Sequence, residues 1–289
     1  MSRLAFTKMV GSGNDFIVVD ARRTHPAGRR PWPALSRSLC DRRHGIGADG
    51  LLVLERSRRA DVRMRIFNPD GSEAHMCGNG ARCVARYLSQ AAHAKAVTID
   101  TKAGILSADV RGDRVAMRMT TPTQLRPHMS LNVNRAPLRL GFVNTGVPHT
   151  VVSVDRLDRV DVDRLGRLVR YHSNFAPQGT NVNFVQMDRA HPNRLRIRTY
   201  ERGVEGETLA CGTGAAAAAV IHAARQATTN GTSASRRQVA VQVQSGETLR
   251  VSMSLRPSAG RVQVTDVILE GPARRVFDGI IELSRVRRT

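Results

Sequence analysis

The chain has 289 residues, 41% hydrophobic and 24% charged, the balance of a globular protein large enough for two domains or one duplicated domain. Four cysteines are too few for a disulfide scaffold, the start MSRLAFTKMVGSGNDF has no apolar segment of signal-peptide length, and the alanine-rich run Ala215 to Ala224, interrupted by His222, is too short to span a bilayer. The net charge of +21 suits a nucleic-acid binder, but the basic residues are scattered, lysine occurs only at Lys8, Lys95 and Lys102, aromatic residues are 4%, and no stacking or zinc-finger string is present.

The composition thus predicts a cytoplasmic protein with reduced thiols, no membrane partner and no dedicated nucleic-acid partner; a basic nucleic-acid-binding protein is the weaker alternative. In chain order, NDFIVVD (Asn14 to Asp20) reads as a strand. RRTHPAGRRPWPALS reads as a Pro-rich surface loop leading into a helix from about Ala34 to Asp41, where Cys40 is a small buried hydrophobe. IFNPDGSEAHMCGNG then runs from an aromatic strand end through a polar turn to Cys77. Ala81 to Leu88 carries a helical apolar stripe of Val84, Tyr87 and Leu88, with Cys83 buried on it, and AVTIDTKAGILSADV alternates with period two around a glycine turn.

The second half repeats this order. VNFVQMD (Val182 to Asp188) aligns with NDFIVVD, placing Phe184 on Phe16 and Asp188 on Asp20. TYERGVEGETLACGTG matches the first cysteine segment, an alanine-rich helix follows, QATTNGTSASRR reads as an exposed loop, and VAVQVQSGETLRVSM is the second alternating pair. The repeat predicts an α/β (α+β) fold of two duplicated halves, residues 1–121, completed by the C-terminal strand 274–289, and 122–273. The junction falls near TTPTQLRP, where Pro122 and Pro127 punctuate the chain.

Each half places a cysteine directly before Gly-polar-Gly and a helix. The helix's first N–H groups and the positive end of its dipole make a seat for a carboxylate and favour a thiolate over a thiol. If the halves face each other across a pseudo-two-fold cleft, Cys77 and Cys211 approach one small ligand from opposite sides. Such a pair suits stereoinversion at an acidic C–H, one thiolate removing a proton while the opposed thiol delivers another. Zinc is disfavoured by the spacing of Cys77 and Cys83, a phosphate loop by the absence of its patterns, and a Cys-His hydrolase using His149 leaves the second cysteine without a role.

GSGNDFIVVD, RRHGIGADG, FNPDGSEAHMCGNGARC, NTGVPH, GTNVNFV and YERGVEGETLACGTGA, in this order, resemble the diaminopimelate epimerase family over most of the chain. The resemblance implies two similar domains, each a sheet or barrel wrapped around a central helix, with the active site in the cleft between them. It implies a homodimer, with no cofactor and no metal, that interconverts LL- and meso-diaminopimelate for lysine and peptidoglycan precursors. Carried over by motif, Cys211 is the acceptor from the LL-isomer and Cys77 the donor. Gly78, Asn79, Gly212 and Thr213 hold the carboxylate at the reacting centre, which Glu201 and His149 flank. Arg202 takes the distal carboxylate, with Asn14, Asn68 and Asn181 at the far amino-acid end; turn formation is the alternative role of these three asparagines. Val147 stands where the family commonly has a substrate-contacting asparagine, and Gly50 where some members have glutamine. A related racemase acting on proline, hydroxyproline or histidine is therefore the runner-up reading.

Overall fold

The computed structural model of the chain describes residues 3–22, 31–229, 234–258 and 261–283. Its contacts divide it into two units, Met1–Met117 with Gly271–Thr289, and Arg118–Glu270. Each is mixed α/β, mostly sheet.

In the first unit, β1 (Arg3–Gly11) pairs antiparallel with β2 (Asn14–Asp20). After α1 (Trp32–Cys40), β3 (Gly50–Glu55) returns parallel to β2, β4 (Val62–Phe67) runs back antiparallel, and β5 (Glu73–Ala74) hooks onto β4. Helix α2 (Gly78–Ala92) leads to β6 (Ala96–Thr101), parallel to β4, and the antiparallel run ends with β7 (Gly104–Arg111) and β8 (Arg114–Arg118).

The second unit repeats the plan. Strands β9 (Thr123–Val133), β10 (Ala136–Asn144) and β11 (Pro148–Ser153) are antiparallel neighbours, and after α3 (Val162–Arg170), β12 (Asn181–Met187) lies parallel to β11. Strands β13 (Arg194–Glu201) and β14 (Gly206–Thr208) follow, then α4 (Gly212–Thr229), and β15 (Ser235–Gln242) runs parallel to β13. Strands β16 (Thr248–Ser258) and β17 (Arg261–Pro272) complete the unit, and β18 (Arg274–Glu282) pairs with β1 as β9 does with β10.

Strands pack around each long helix and bury much of its surface. Helix α2 buries Ala81, Cys83, Val84, Ala85 and Leu88. Helix α4 packs against β9 to β13, β15 and β16, and Ala215 to Ala219 are fully buried. Alanine combines the best helix propensity with the smallest side chain, so the surrounding strands can approach the α4 backbone closely. Gly141 on β10 extends that approach, since a Cβ there would lie 2.8 Å from Ile221 Cγ2 and 2.9 Å from the Pro127 carbonyl oxygen.

The topology corrects the internal alignment drawn from the sequence. NDFIVVD is β2, which lies antiparallel to β1 and parallel to β3, whereas VNFVQMD belongs to β12, the parallel partner of β11. The counterpart of β2 is therefore β11, and that of β12 is β3. Similar apolar content concealed the difference, because both strands are buried and have the same period.

Three boundaries also differ. Helix α1 starts at Trp32 because Pro33 lies in its first turn, where a missing N–H costs nothing. The second half of TTPTQLRP begins β9, with Pro127 at a register shift in the β9–β10 ladder, where a strand tolerates proline. The predicted loop QATTNGTSASRR is helix through Thr229 and strand from Ser235; residues 230–233 lie outside the described set, as do residues 23–30 of the Pro-rich segment and 284–289 of the expected terminal strand. Replacing Gly141 by alanine is expected to cost about 1–3 kcal/mol of stability by overpacking. Urea denaturation checks this, with an unchanged midpoint as the contrary result.

Candidate active site

Both cysteines stand at helix caps. Cys77 has extended backbone, its carbonyl accepts the first helical bond from Ala81 N at 2.8 Å, and its sulfur accepts from Gly80 N at 3.4 Å. Cys211 likewise accepts from Ala215 N at 2.9 Å through its carbonyl, and its sulfur lies 3.4 Å from Thr213 Oγ1. Each Sγ thus sits where N–H groups and about half a positive charge converge. All four cysteines are thiols; Cys40 and Cys83 are buried, and burial pushes the Cys40 thiol up. Among the described residues, no three His, Cys, Asp or Glu side chains group as metal ligands.

An ion pair repeated in both units holds the approach to each cysteine. Arg65 on β4 grips Glu73 through Nε at 2.8 Å and Nη2 at 3.1 Å, and Arg198 on β13 grips Glu207 at 2.7 and 2.6 Å. Two parallel bonds restrict orientation as well as distance. The Arg65 guanidinium, ahead of the opposing effect of burial, brings the Glu73 carboxyl down to about 2, with Lys102 adding to it.

In the first unit the structure joins Asn14 and Asn79. Arg82, fully buried, donates to Asn79 Oδ1 at 2.6 Å; Asn79 Nδ2 donates to Asn14 Oδ1 at 2.6 Å; Asn14 Nδ2 donates to Asp49 Oδ2 at 3.0 Å. A guanidinium can only donate and a carboxylate can only accept, so the ends of this chain orient both amides. Arg42 also donates to Asp49, and Lys8 and Arg42 donate to Asp15, holding its carboxyl down to about 2 against its burial. Asn68 is drawn into a turn, with Nδ2 2.9 Å from Ser72 Oγ and its backbone N donating to Ser72 O. Gly78 has open space where a side chain would stand.

In the second unit Asn181 Nδ2 donates to Pro148 O at 3.0 Å, and its Oδ1 accepts from Arg202 N at 2.8 Å. Arg202 donates through Nη1 to Gln178 O at 3.3 Å. Thr213 O accepts from Thr145 Oγ1. Burial raises the Glu201 carboxyl, which favours its protonated form. His149 on β11 is fully buried, and burial, then the Arg202 charge, push its imidazole down to about 3. Asn183 Nδ2 lies 3.1 Å from His149 Nδ1, and Thr199 Oγ1 donates to Asn183 Oδ1 at 3.1 Å.

Register also explains the two unusual positions. Phe67 and Tyr200 occupy equivalent places, facing Leu51 and Val182; one residue earlier, Gly50 and Asn181 face Phe16 and His149. Gly50 is therefore the counterpart of Asn181, and Val147 that of Asn14. Each repeat retains one amide of this pair. Motif reasoning passed over Arg82, Asp49, Asn183 and Thr199; the one signal was Asn183, a polar residue in the otherwise apolar core of GTNVNFV.

A buried neutral histidine takes up a proton on unfolding below its ordinary pKa near 6.5. With its folded value depressed, its contribution is complete above about pH 6.5 and is lost as pH falls toward about 3. A His149→Asn variant is expected to lack this loss, which has a limiting slope of about 1.4 kcal/mol per pH unit. Parallel urea titrations of both proteins from pH 7 to 4.5 check it; identical slopes would contradict a neutral buried ring.

Residues 6–125 and 141–265 match the family model described as diaminopimelate epimerase. The diaminopimelate epimerase of Archaeoglobus fulgidus is 40% identical over 298 residues, covering 99% of both chains. That of Aquifex aeolicus is 37% identical over 286 residues, covering 96% of this chain and 97% of the relative. A hydroxyproline epimerase structure from Agrobacterium vitis with bound trans-4-hydroxy-L-proline has a TM-score of 0.67 at 18% identity, covering 98% of this chain and 93% of that one. A phenazine biosynthesis protein of the PhzF family from Bacillus anthracis gives 0.68 at 18% identity, covering 98% and 100%. The solved structures establish a shared fold, and the near-full-length sequence identities go further: this chain belongs to the diaminopimelate epimerase family.

Proposed function

We propose that the protein interconverts LL- and meso-diaminopimelate by two-base proton transfer, without a cofactor, in the supply of lysine and peptidoglycan precursors in the cytoplasm. The observation that carries this reading is the pair of cysteines at equivalent helix caps, within a chain about 40% identical to named diaminopimelate epimerases over nearly its whole length. In the LL-to-meso direction, the Cys211 thiolate takes the α-proton and the Cys77 thiol delivers its own to the opposite face. The carbon is inverted, and the enzyme is left with the protonation states exchanged, ready for the reverse reaction.

The α-carboxylate sits on the first N–H groups after each cysteine, at Gly78, Asn79, Gly212 and Thr213. These dipoles stabilise the carbanion-like charge that develops during proton removal. Glu201 and His149 flank the reacting carbon. Arg202 binds the distal carboxylate, and Asn14, Asn68 and Asn181 bind the distal amino-acid end. Gly50 and Val147 lack the amides that their counterparts Asn181 and Asn14 carry, which leaves one amide of this pair in each repeat for distal recognition.

The homodimer that the family resemblance suggests is supported by an exposed apolar surface on the first unit. Strand β18 exposes Val276, Phe277 and Ile280 at 56%, 48% and 68%, and we assign this apolar edge to a second copy.

Replacing either Cys77 or Cys211 by alanine is expected to lower epimerisation of LL-diaminopimelate at least 100-fold, because each direction needs both groups. Chiral product analysis measures it, and near-normal turnover in either variant would sink the two-base reading. Ile280→Asp with Phe277→Asp is expected to shift sedimentation from dimer to monomer; an unchanged dimer would place the interface elsewhere.

A further inference from the structure

The two repeats build the floor beneath their cysteine helices from different chemistry. In the first unit the floor is apolar: Phe16 on β2, Leu52 on β3 and Ile66 on β4, with Leu52 opposite Ile66 and 3.0 Å from the place of a Cβ on Gly80. In the second unit the register puts His149, Asn183 and Thr199 at the same three places. Asn183 lies opposite Thr199, and a Cβ on Gly214 would collide with Asn183 Oδ1 while lying 3.3 Å from Cys211 Sγ. All three polar residues are buried, His149 and Asn183 completely. The first repeat forms this architecture with three hydrocarbon side chains, so the fold does not require the polar trio.

The bonds of the trio have one consistent set of directions. Asn183 Nδ2 lies 2.9 Å from the backbone carbonyl of Thr150, which can only accept, so that end of the side chain is the NH2 group. Its Oδ1 accepts from Thr199 Oγ1. The second N–H of the amide points at His149 Nδ1, 3.1 Å away, so Nδ1 must present a lone pair. An imidazolium, or a neutral ring with its proton on Nδ1, would set N–H against N–H. The proton therefore resides on Nε2, which is buried and has no hydrogen-bond partner among the described residues. A buried donor without an acceptor costs roughly 1–3 kcal/mol, so its retention calls for a use. The neighbouring charge is the Arg202 guanidinium, which also disfavours a proton on the ring.

We propose that Asn183 is a positioning residue that holds His149 as its Nε2–H tautomer, so that His149 serves the reaction as a neutral hydrogen-bond donor and not as a proton acceptor. This rests on the two-cysteine reading, in which the thiols carry the protons and the acceptor for Nε2–H is an oxygen of the substrate carboxylate. The polar trio is confined to one repeat, so the two cysteines work in unlike surroundings, Cys77 above hydrocarbon and Cys211 above an oriented amide and imidazole.

The test is 15N NMR of the full-length protein labelled in histidine, with His149→Asn to assign the ring. The expected result is a pyridine-type Nδ1 and a pyrrole-type Nε2, unchanged between pH 5 and 9. A proton on Nδ1, or titration in that range, would overturn the proposal. Asn183→Asp puts an acceptor at Nδ1 and should move the ring proton there; Asn183→Leu copies the floor of the first repeat and should keep the fold by circular dichroism. Both are expected to lower kcat for LL-diaminopimelate at least tenfold. Unchanged kcat in Asn183→Asp despite a moved proton would overturn the donor role. Failure of the proposed reaction would look different, as wild-type protein with the expected NMR pattern and no epimerisation of diaminopimelate.

Discussion

A helix end enclosed by sheet is the constraint on which the rest of the structure depends. Strands wrapped around α2 and α4 bury small and apolar side chains along the core-facing side of each helix. The first N–H groups of these helices have no partner within the helix and must find acceptors. Each repeat places a cysteine there, and the carbonyl and sulfur of Cys77 both serve that need. The same orphan donors that make the cap suit an anion and favour a thiolate, so the architecture and the proposed acid/base chemistry share one cause.

The duplication explains both what is repeated and what is not. The Arg65–Glu73 and Arg198–Glu207 pairs anchor the segment before each cysteine in the same way. Beyond that frame the halves diverge. Asn14 and Asn79 are oriented by Arg82 and Asp49 in the first unit, whereas in the second a histidine, an asparagine and a threonine replace the apolar floor. The proposed two-base inversion of one carbon calls for similar proton-transfer groups and dissimilar recognition groups.

The elements carrying strong local signals were legible in the sequence. Cysteine before Gly-polar-Gly, the alternating hairpins and the buried helices all follow from periodicity and turn chemistry that act within a few residues. The pairing of β2 with β3 and of β11 with β12 depends on parallel contacts across an intervening helix, which strand composition alone does not encode, and hence NDFIVVD aligned with the wrong strand. The candidate residues emerged mainly from motif resemblance. Arg82, Asp49 and Asn183 contact the candidate residues through side-chain hydrogen bonds and Thr199 contacts Asn183, several of these bonds crossing long stretches of sequence, so the three-dimensional structure is what brings them to notice.

The most direct measurement of the central claim is solvent-proton exchange at the α-carbon of LL-diaminopimelate in D2O, under reducing conditions and without pyridoxal phosphate, with proline and histidine as comparison substrates. The account predicts deuterium at the inverted α-carbon together with formation of the meso isomer, and none with proline or histidine. Inversion of diaminopimelate that retains the original α-proton in the meso product, or exchange confined to proline or histidine, would contradict it.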